Sequence, residues 1–179
     1  MDTLPKLKPF TSPWQFLATG FGSGLSPKAP GTVGTLVAVP LYFALTQLPL
    51  WAYGLVVIFA LGIGVIICQR ASDELGVHDH PGIVWDEFVG LWIALFAAPD
   101  GLHWVLVGFL LFRFFDIVKP PPIGYFDKQV HGGTGIMIDD IIAGIAACCC
   151  LQLLAAKLRI EQRGTVGEKR HYFCGCYRV

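Results

Sequence analysis

Residues 134–150 read TGIMIDDIIAGIAACCC, an apolar run that carries two adjacent carboxylates, Asp139 and Asp140, near its front. An ionised carboxylate in such a run loses its hydration unless a cation or hydrogen-bond donors replace the water. Three more acids sit in similar surroundings. Asp86 and Glu87 open the stretch WDEFVGLWIA, and Asp116 lies near the end of LHWVLVGFLLFRFFDIV. Hard oxygen ligands of this kind suit Mg²⁺, which takes one or two carboxylates, keeps several waters and binds substrate phosphate. Neighbouring helix positions diverge by about 100°. Asp139 and Asp140 therefore need not touch the same ion: one can ligate while the other orients it or pairs with a base. The same holds for Asp86 and Glu87.

Cations stand among these acids. Arg113, Asp116 and Lys119 follow one another at intervals of three, on one helical face. Arginine suits bidentate phosphate binding, and lysine acts as a point charge. The pattern admits two readings: a metal–phosphate site, or internal salt bridges that stabilise a helical bundle. Residues 20–34, GFGSGLSPKAPGTVG, add glycines, prolines and hydroxyls just before an apolar helix. Backbone N–H groups at that helix start can receive phosphate oxygens, with Lys28 adding charge. The P-loop spacing is missing, and a re-entrant turn accounts for the glycines equally well. In GVHDHPG, the pair His78 and His80 with Asp79 can bind a metal or shuttle a proton, or can form a polar turn at a helix end. His131 has the same two readings. His103, next to Trp104, reads as an interfacial residue.

The elements that must position these groups are apolar. Of 179 residues, enough for one domain, 54% are hydrophobic and 15% charged, and mean hydropathy is +0.60. Soluble domains average about a quarter charged residues. Formal net charge is zero without any basic stripe, which argues against nucleic acid as a partner. No Asp, Glu, Lys or Arg occurs from Ala29 to Gln69. Pro5 and Pro9 interrupt the N-terminus, and no secretory signal pattern follows. Cys148, Cys149 and Cys150 are consecutive in a helical pattern, so they point apart and read as small apolar residues rather than disulfide partners. Cys174 and Cys176 lack the further ligands a metal site requires.

Five apolar segments, 34–48, 51–68, 88–98, 102–118 and 136–156, are separated by Gly/Pro-rich loops. A spanning helix needs about 20 apolar residues. The expectation is an all-α, polytopic membrane bundle with four or five helices in a single domain over 1–156. A basic tail follows over 157–179, and the third segment is a partial or tilted insertion. Lys6, Lys8 and Lys28 favour a cytoplasmic N-terminus, and loops 69–83 and 119–135 then lie on the same side. That topology brings Asp86, Glu87, Asp116, Asp139 and Asp140 to one level, facing the cytoplasm. Five crossings would place the tail outside although it holds six basic and two acidic residues, so one segment does not cross or the tail is unusual.

Four motifs, GFGSGLSPKAPGTVGT, GVHDHPGIVWDEFVG, FRFFDIVKPPPIGYFD and HGGTGIMIDDIIAG, stand in an order and spacing that resemble the phosphatidylglycerophosphatase A family over residues 14–150. The resemblance implies a Mg²⁺-dependent lipid phosphatase of the bacterial inner membrane, converting phosphatidylglycerophosphate to phosphatidylglycerol. Carried over, it makes Asp86, Glu87, Asp139 and Asp140 candidate metal ligands or base, with Asp116 in the catalytic acid set. Lys28, Arg113 and Lys119 become candidate phosphate binders. The tail from Lys157 does not resemble the apolar end expected of the family. A reading from another class, a small transporter or channel with buried charges, is separated from this one mainly by the resemblance. Confinement of the acids to one side also favours an interfacial enzyme. Nothing in the sequence specifies an oligomeric state.

Overall fold

Prolines set the starts of several helices. In the computed structural model, which describes residues 5–77, 80–120 and 132–174 with side chains through Ile160, Pro13 opens α1 (Pro13–Ala18). Ser12 caps that helix, its hydroxyl accepting from the Gln15 N–H at 3.3 Å. Pro30 opens α2 (Pro30–Leu45), and Pro49 caps α3 (Leu50–Leu75). Proline serves there because its fixed φ suits a first turn whose N–H groups have no helical partner. A 3₁₀ turn at Ser23–Leu25 lies between α1 and α2. The chain continues through α4 (Trp85–Ala94), α5 (Leu102–Val118) and α6 (Gly133–Cys174). All regular structure among the described residues is helical.

The shortest of the later helices is the most enclosed. α4 packs against α2, α3, α5 and α6. Phe88, Val89, Leu91 and Ala94 on it are fully buried. Its 10 residues span about 15 Å, half the hydrocarbon thickness. The third apolar segment is thus the centre of the protein core, and its hydropathy reflects burial among helices.

Two helices, Leu50–Leu75 and Gly133–Ile160, are long and apolar enough to cross a membrane, fewer than the four or five expected. α2, with 16 residues and Pro40 inside it, reaches about 24 Å, and α5, with 17, about 25 Å. Hydropathy counts apolar residues without saying whether they face lipid or neighbouring helices, which is why the sequence overcounts. Only 28% of the most apolar stretch of each long helix is buried. Leu55, Ile58, Phe59 and Ile66 on α3 and Leu153 on α6 point outward. A core helix of a soluble protein would bury most of that surface. The α6 backbone continues past residue 156 to Cys174, so the expected tail begins as helix. Cys148, Cys149 and Cys150 are free thiols.

One close crossing sets the geometry of the site. A Cβ placed on Gly144 of α6 would lie 2.5 Å from the Gly90 carbonyl oxygen of α4, and one on Gly90 would lie 2.5 Å from the Phe112 ring. Small residues let two helix backbones approach this way. Asp140 stands one turn before Gly144 and Glu87 one turn before Gly90, so the crossing carries the two acids to the same level.

Candidate active site

The starts of α2, α4 and α6 meet the ends of α3 and α5 at one end of the bundle, and the acids converge there. Gln69 near the end of α3 ties in α6: its side-chain oxygen accepts from the Gly133 N–H at 2.7 Å, satisfying a donor the helix start leaves open. Lys119 ends α5 in a left-handed backbone conformation just before Pro120.

Glu87 is 8% exposed although it sits among apolar neighbours. Thr35 of α2 donates to its Oε2 at 2.7 Å, and Arg113 Nη1 of α5 pairs with the same oxygen. Arg113 Nη1 also lies 2.8 Å from Asp116 Oδ2 and 3.5 Å from the Thr35 hydroxyl. One guanidinium thus joins α2, α4 and α5. Gly31, at the start of α2, lies directly on Glu87 and Arg113, so that any side chain there would occupy the space of the Glu87 carboxylate.

The two adjacent aspartates of α6 diverge as the helical angle requires. Asp139 Oδ2 pairs with Lys119 Nζ at 2.5 Å. Asp140 points inward and is 3% exposed, and its Oδ2 has no hydrogen-bond partner among the described residues. Asp86, Glu87, Asp116 and Asp139 all act on Asp140 electrostatically, and Asp140 in turn acts on Arg113. Arg113 Nε is likewise buried with no hydrogen-bond partner. Among the described residues the site therefore combines five carboxylates with two cations, Arg113 and Lys119. Asp140 Oδ2 and Arg113 Nε within it are buried and have no hydrogen-bond partner among the described residues.

Lys28 stands apart: it is exposed on the loop before α2, outside this ion-paired cluster. His80 is hydrogen-bonded through both ring nitrogens. The Gly82 N–H donates to its Nδ1 at 3.1 Å, so the proton of the neutral ring is on Nε2, 3.1 Å from the Pro5 carbonyl oxygen. Both ring nitrogens are used in holding the N-terminal segment to the turn before α4. His103 is exposed beside Trp104, with ring centroids 5.4 Å apart. His78, Asp79, Lys128 and His131 lie outside the described residues.

Thr35 and Gly31 belong to the site and were not singled out from the sequence. The available signal was a hydroxyl at the fourth position after a glycine inside a stretch without any charge. A threonine there has an Oγ that either bonds its own backbone or reaches a buried polar partner. It is within 2.8 Å of the Gly31 carbonyl as well as of Glu87.

Comparison with known proteins shows the family to which the chain belongs. The family model described as phosphatidylglycerophosphatase A matches residues 16–155, which contain every residue of the cluster. Phosphatidylglycerophosphatase A of Escherichia coli (strain K12) is 51% identical over 145 residues, covering 80% of this chain and 84% of that protein. Phosphatidylglycerophosphatase A of Haemophilus influenzae (strain ATCC 51907 / DSM 11121 / KW20 / Rd) is 47% identical over 138 residues, covering 76% and 85%. No solved structure matches the chain. The chain belongs to the phosphatidylglycerophosphatase A family.

Proposed function

We propose that this phosphatase hydrolyses the terminal phosphomonoester of phosphatidylglycerophosphate with the help of Mg²⁺, at the end of the bundle where α4, α5 and α6 meet. The observation that carries the reading is the charge balance around Asp140: among the described residues the cluster has three more carboxylates than cations, and the buried Asp140 Oδ2 has no hydrogen-bond partner among them. A phosphate monoester approaching such a cluster is repelled unless a divalent cation intervenes. The donors are all hard oxygens, which fits Mg²⁺. No three acids, histidines or cysteines among the described residues are grouped closely enough to hold an ion alone. This suits an ion held by one or two carboxylates, waters and the substrate. Glu87, Asp116 and Asp139 are committed to Arg113 and Lys119, and the buried Asp140 Oδ2 has no hydrogen-bond partner among the described residues, so Asp140 is the foremost candidate ligand. When bound, Mg²⁺ supplies positive charge against the phosphate oxygens and against the charge that develops in hydrolysis.

The protein's own groups do the remaining work. Glu87 and Asp116 hold the Arg113 guanidinium at a fixed angle, and its unused Nε–H is a donor for a phosphate oxygen. Lys119, partly exposed and close to Asp139, adds charge at the rim. Asp86, less buried than Asp140, takes the proton from the attacking water. Thr35 and Gly31 keep Glu87 in register with Arg113.

The apolar outer faces of α3 and α6 support association with a membrane, and the family's substrate is a membrane lipid; we assign the protein to the bacterial inner membrane with the acidic end towards the cytoplasm. Gathering of the charged groups at one end, rather than along a path through the bundle, does not favour a transporter. The test is phosphate release from phosphatidylglycerophosphate in detergent micelles. EDTA should abolish turnover, Mg²⁺ should restore it, and Zn²⁺ should substitute poorly. Full turnover in excess chelator would remove Mg²⁺ from the reading. For sidedness, an impermeant thiol reagent added to intact cells should fail to label a cysteine placed at exposed position 28. Rapid labelling would reverse the orientation.

A further inference from the structure

We infer that the groove between α2 and α5 seats one acyl chain of the lipid substrate and so contributes to its recognition; this rests on the proposed lipid phosphatase reading. α2 and α5 run antiparallel and meet only slightly, which leaves a trough of about 400–450 Å³ between them. Leu36 and Val39 of α2 line one side, and Leu102, Leu106 and Phe109 of α5 line the other. Leu36, Leu102 and Leu106 are exposed at its mouth, so the trough opens outward, away from the core.

The position of the trough determines what fits it. On α5, Leu102, Leu106 and Phe109 recur at intervals of four and three, and the next positions along the same stripe are Arg113 and Asp116. On α2, Thr35 precedes Val39 by four residues on one face, and Thr35 donates to Glu87 within the charged cluster. Along the same direction the α5 wall changes from apolar to charged and the α2 wall from apolar to the hydroxyl of Thr35, which donates to Glu87. From Leu102 to Arg113 the wall runs about 16 Å. An apolar slot whose lining ends at Phe109, one helical turn short of Arg113, fits one amphiphile, with its chain in the slot and its phosphate at Arg113. A second helix would cover the mouth without using the polar end.

Two measurements test this. The first compares wild type with Leu106→Trp and Val39→Trp, which fill the slot without touching the ion pairs. Substrates are the long-chain lipid and its deacylated headgroup. The preference for the long-chain substrate in kcat/KM should fall by about tenfold in each variant, mainly through KM. An equal loss on both substrates, or no loss, would overturn the groove. Absence of phosphate release by wild type from either substrate would overturn the phosphatase reading itself, and the inference with it. The second uses a phosphatidylglycerophosphate with a photoreactive group in its acyl chain, without regard to turnover. Label should appear on the α2 and α5 peptides and be displaced by unlabelled substrate but not by phosphatidylcholine. Displacement by both lipids alike would mean an ordinary bilayer lipid and refute the assignment, as would label confined to α3 or α6.

Discussion

The two ends of the helical bundle satisfy their polar groups in different ways. At the end away from the acids, neutral side chains close backbone carbonyls. The Tyr53 hydroxyl donates to the Trp92 carbonyl at 2.7 Å, and the Gln152 amide donates to the carbonyls of Phe96 and Ala97 at 3.0 and 2.9 Å. The other end gathers Asp86, Glu87, Arg113, Asp116, Lys119, Asp139 and Asp140, most of them largely buried. Placing like charges together inside a low-dielectric region is costly, and a neutral arrangement of similar volume is often as stable or more so. The far end demonstrates that this fold can join its helices without ions. The charges at the near end are therefore not required to join the helices, which is the ground for the proposed phosphate and Mg²⁺ site.

That contrast can be broken most severely at Asp140. Asp140→Asn keeps shape and removes one of five carboxylates. Turnover should fall on the order of 10²-fold or more, as when an electrostatic stabiliser is removed, while thermal stability holds or rises because repulsion is relieved. Wild-type turnover in a folded Asn variant would place Asp140 outside the chemistry. Partial rescue by raised Mg²⁺ would identify it as a weakened ligand.

Arg113→Ala should come next, and it should move both quantities. It leaves Glu87 and Asp116 buried without their cation, a change that costs about 3–5 kcal/mol, and it removes the proposed phosphate donor. Arg113→Lys separates the two effects: charge returns, but one ammonium cannot span Glu87, Asp116 and a phosphate together. Stability should recover further than kcat/KM. If both recover equally, Arg113 serves structure alone.

Gly31→Ala gives a smaller effect of a different kind. Its methyl would enter the space of the Glu87 carboxylate, displacing Glu87 from Arg113 and Thr35. A loss of roughly 1–3 kcal/mol, together with a turnover decrease on the order of tenfold, is expected. A kcat equal to wild type would show that the Glu87 position does not matter for chemistry.

The smallest effect should come from the neutral end. Tyr53→Phe removes the hydroxyl that closes the Trp92 carbonyl, costing about 1–3 kcal/mol, measurable by thermal unfolding in detergent. Turnover per folded molecule should stay at the wild-type value. A specific loss of activity would mean that the two ends are coupled and would undo the contrast.

Much of this was legible in the chain itself. Several helix starts follow from local chemistry: Pro13, Pro30 and Pro49 stand where α1, α2 and α3 begin, whereas the last helix runs on past the expected end at 156. Divergence of Asp139 and Asp140 follows from helical geometry, and the family follows from four ordered motifs that the comparisons match across residues 16–155. Tertiary structure decided the rest, because it depends on contacts between residues far apart in sequence. Hydropathy could not show that the 88–98 segment is enclosed by other helices, since burial by lipid and burial by helices select the same side chains. Nor could it show that Thr35 and Gly31, more than fifty residues before Glu87, complete its surroundings, because their meeting depends on how α2 packs beside α4. Whether His80 shuttles a proton or fastens the N-terminal segment was equally open, until Pro5 and Gly82 occupied both of its nitrogens. Residue types and spacing determine which chemistry the chain can offer. Packing of α4 against its neighbours determines which of those residues meet, because the Gly90–Gly144 crossing sets the depth at which each charge is buried.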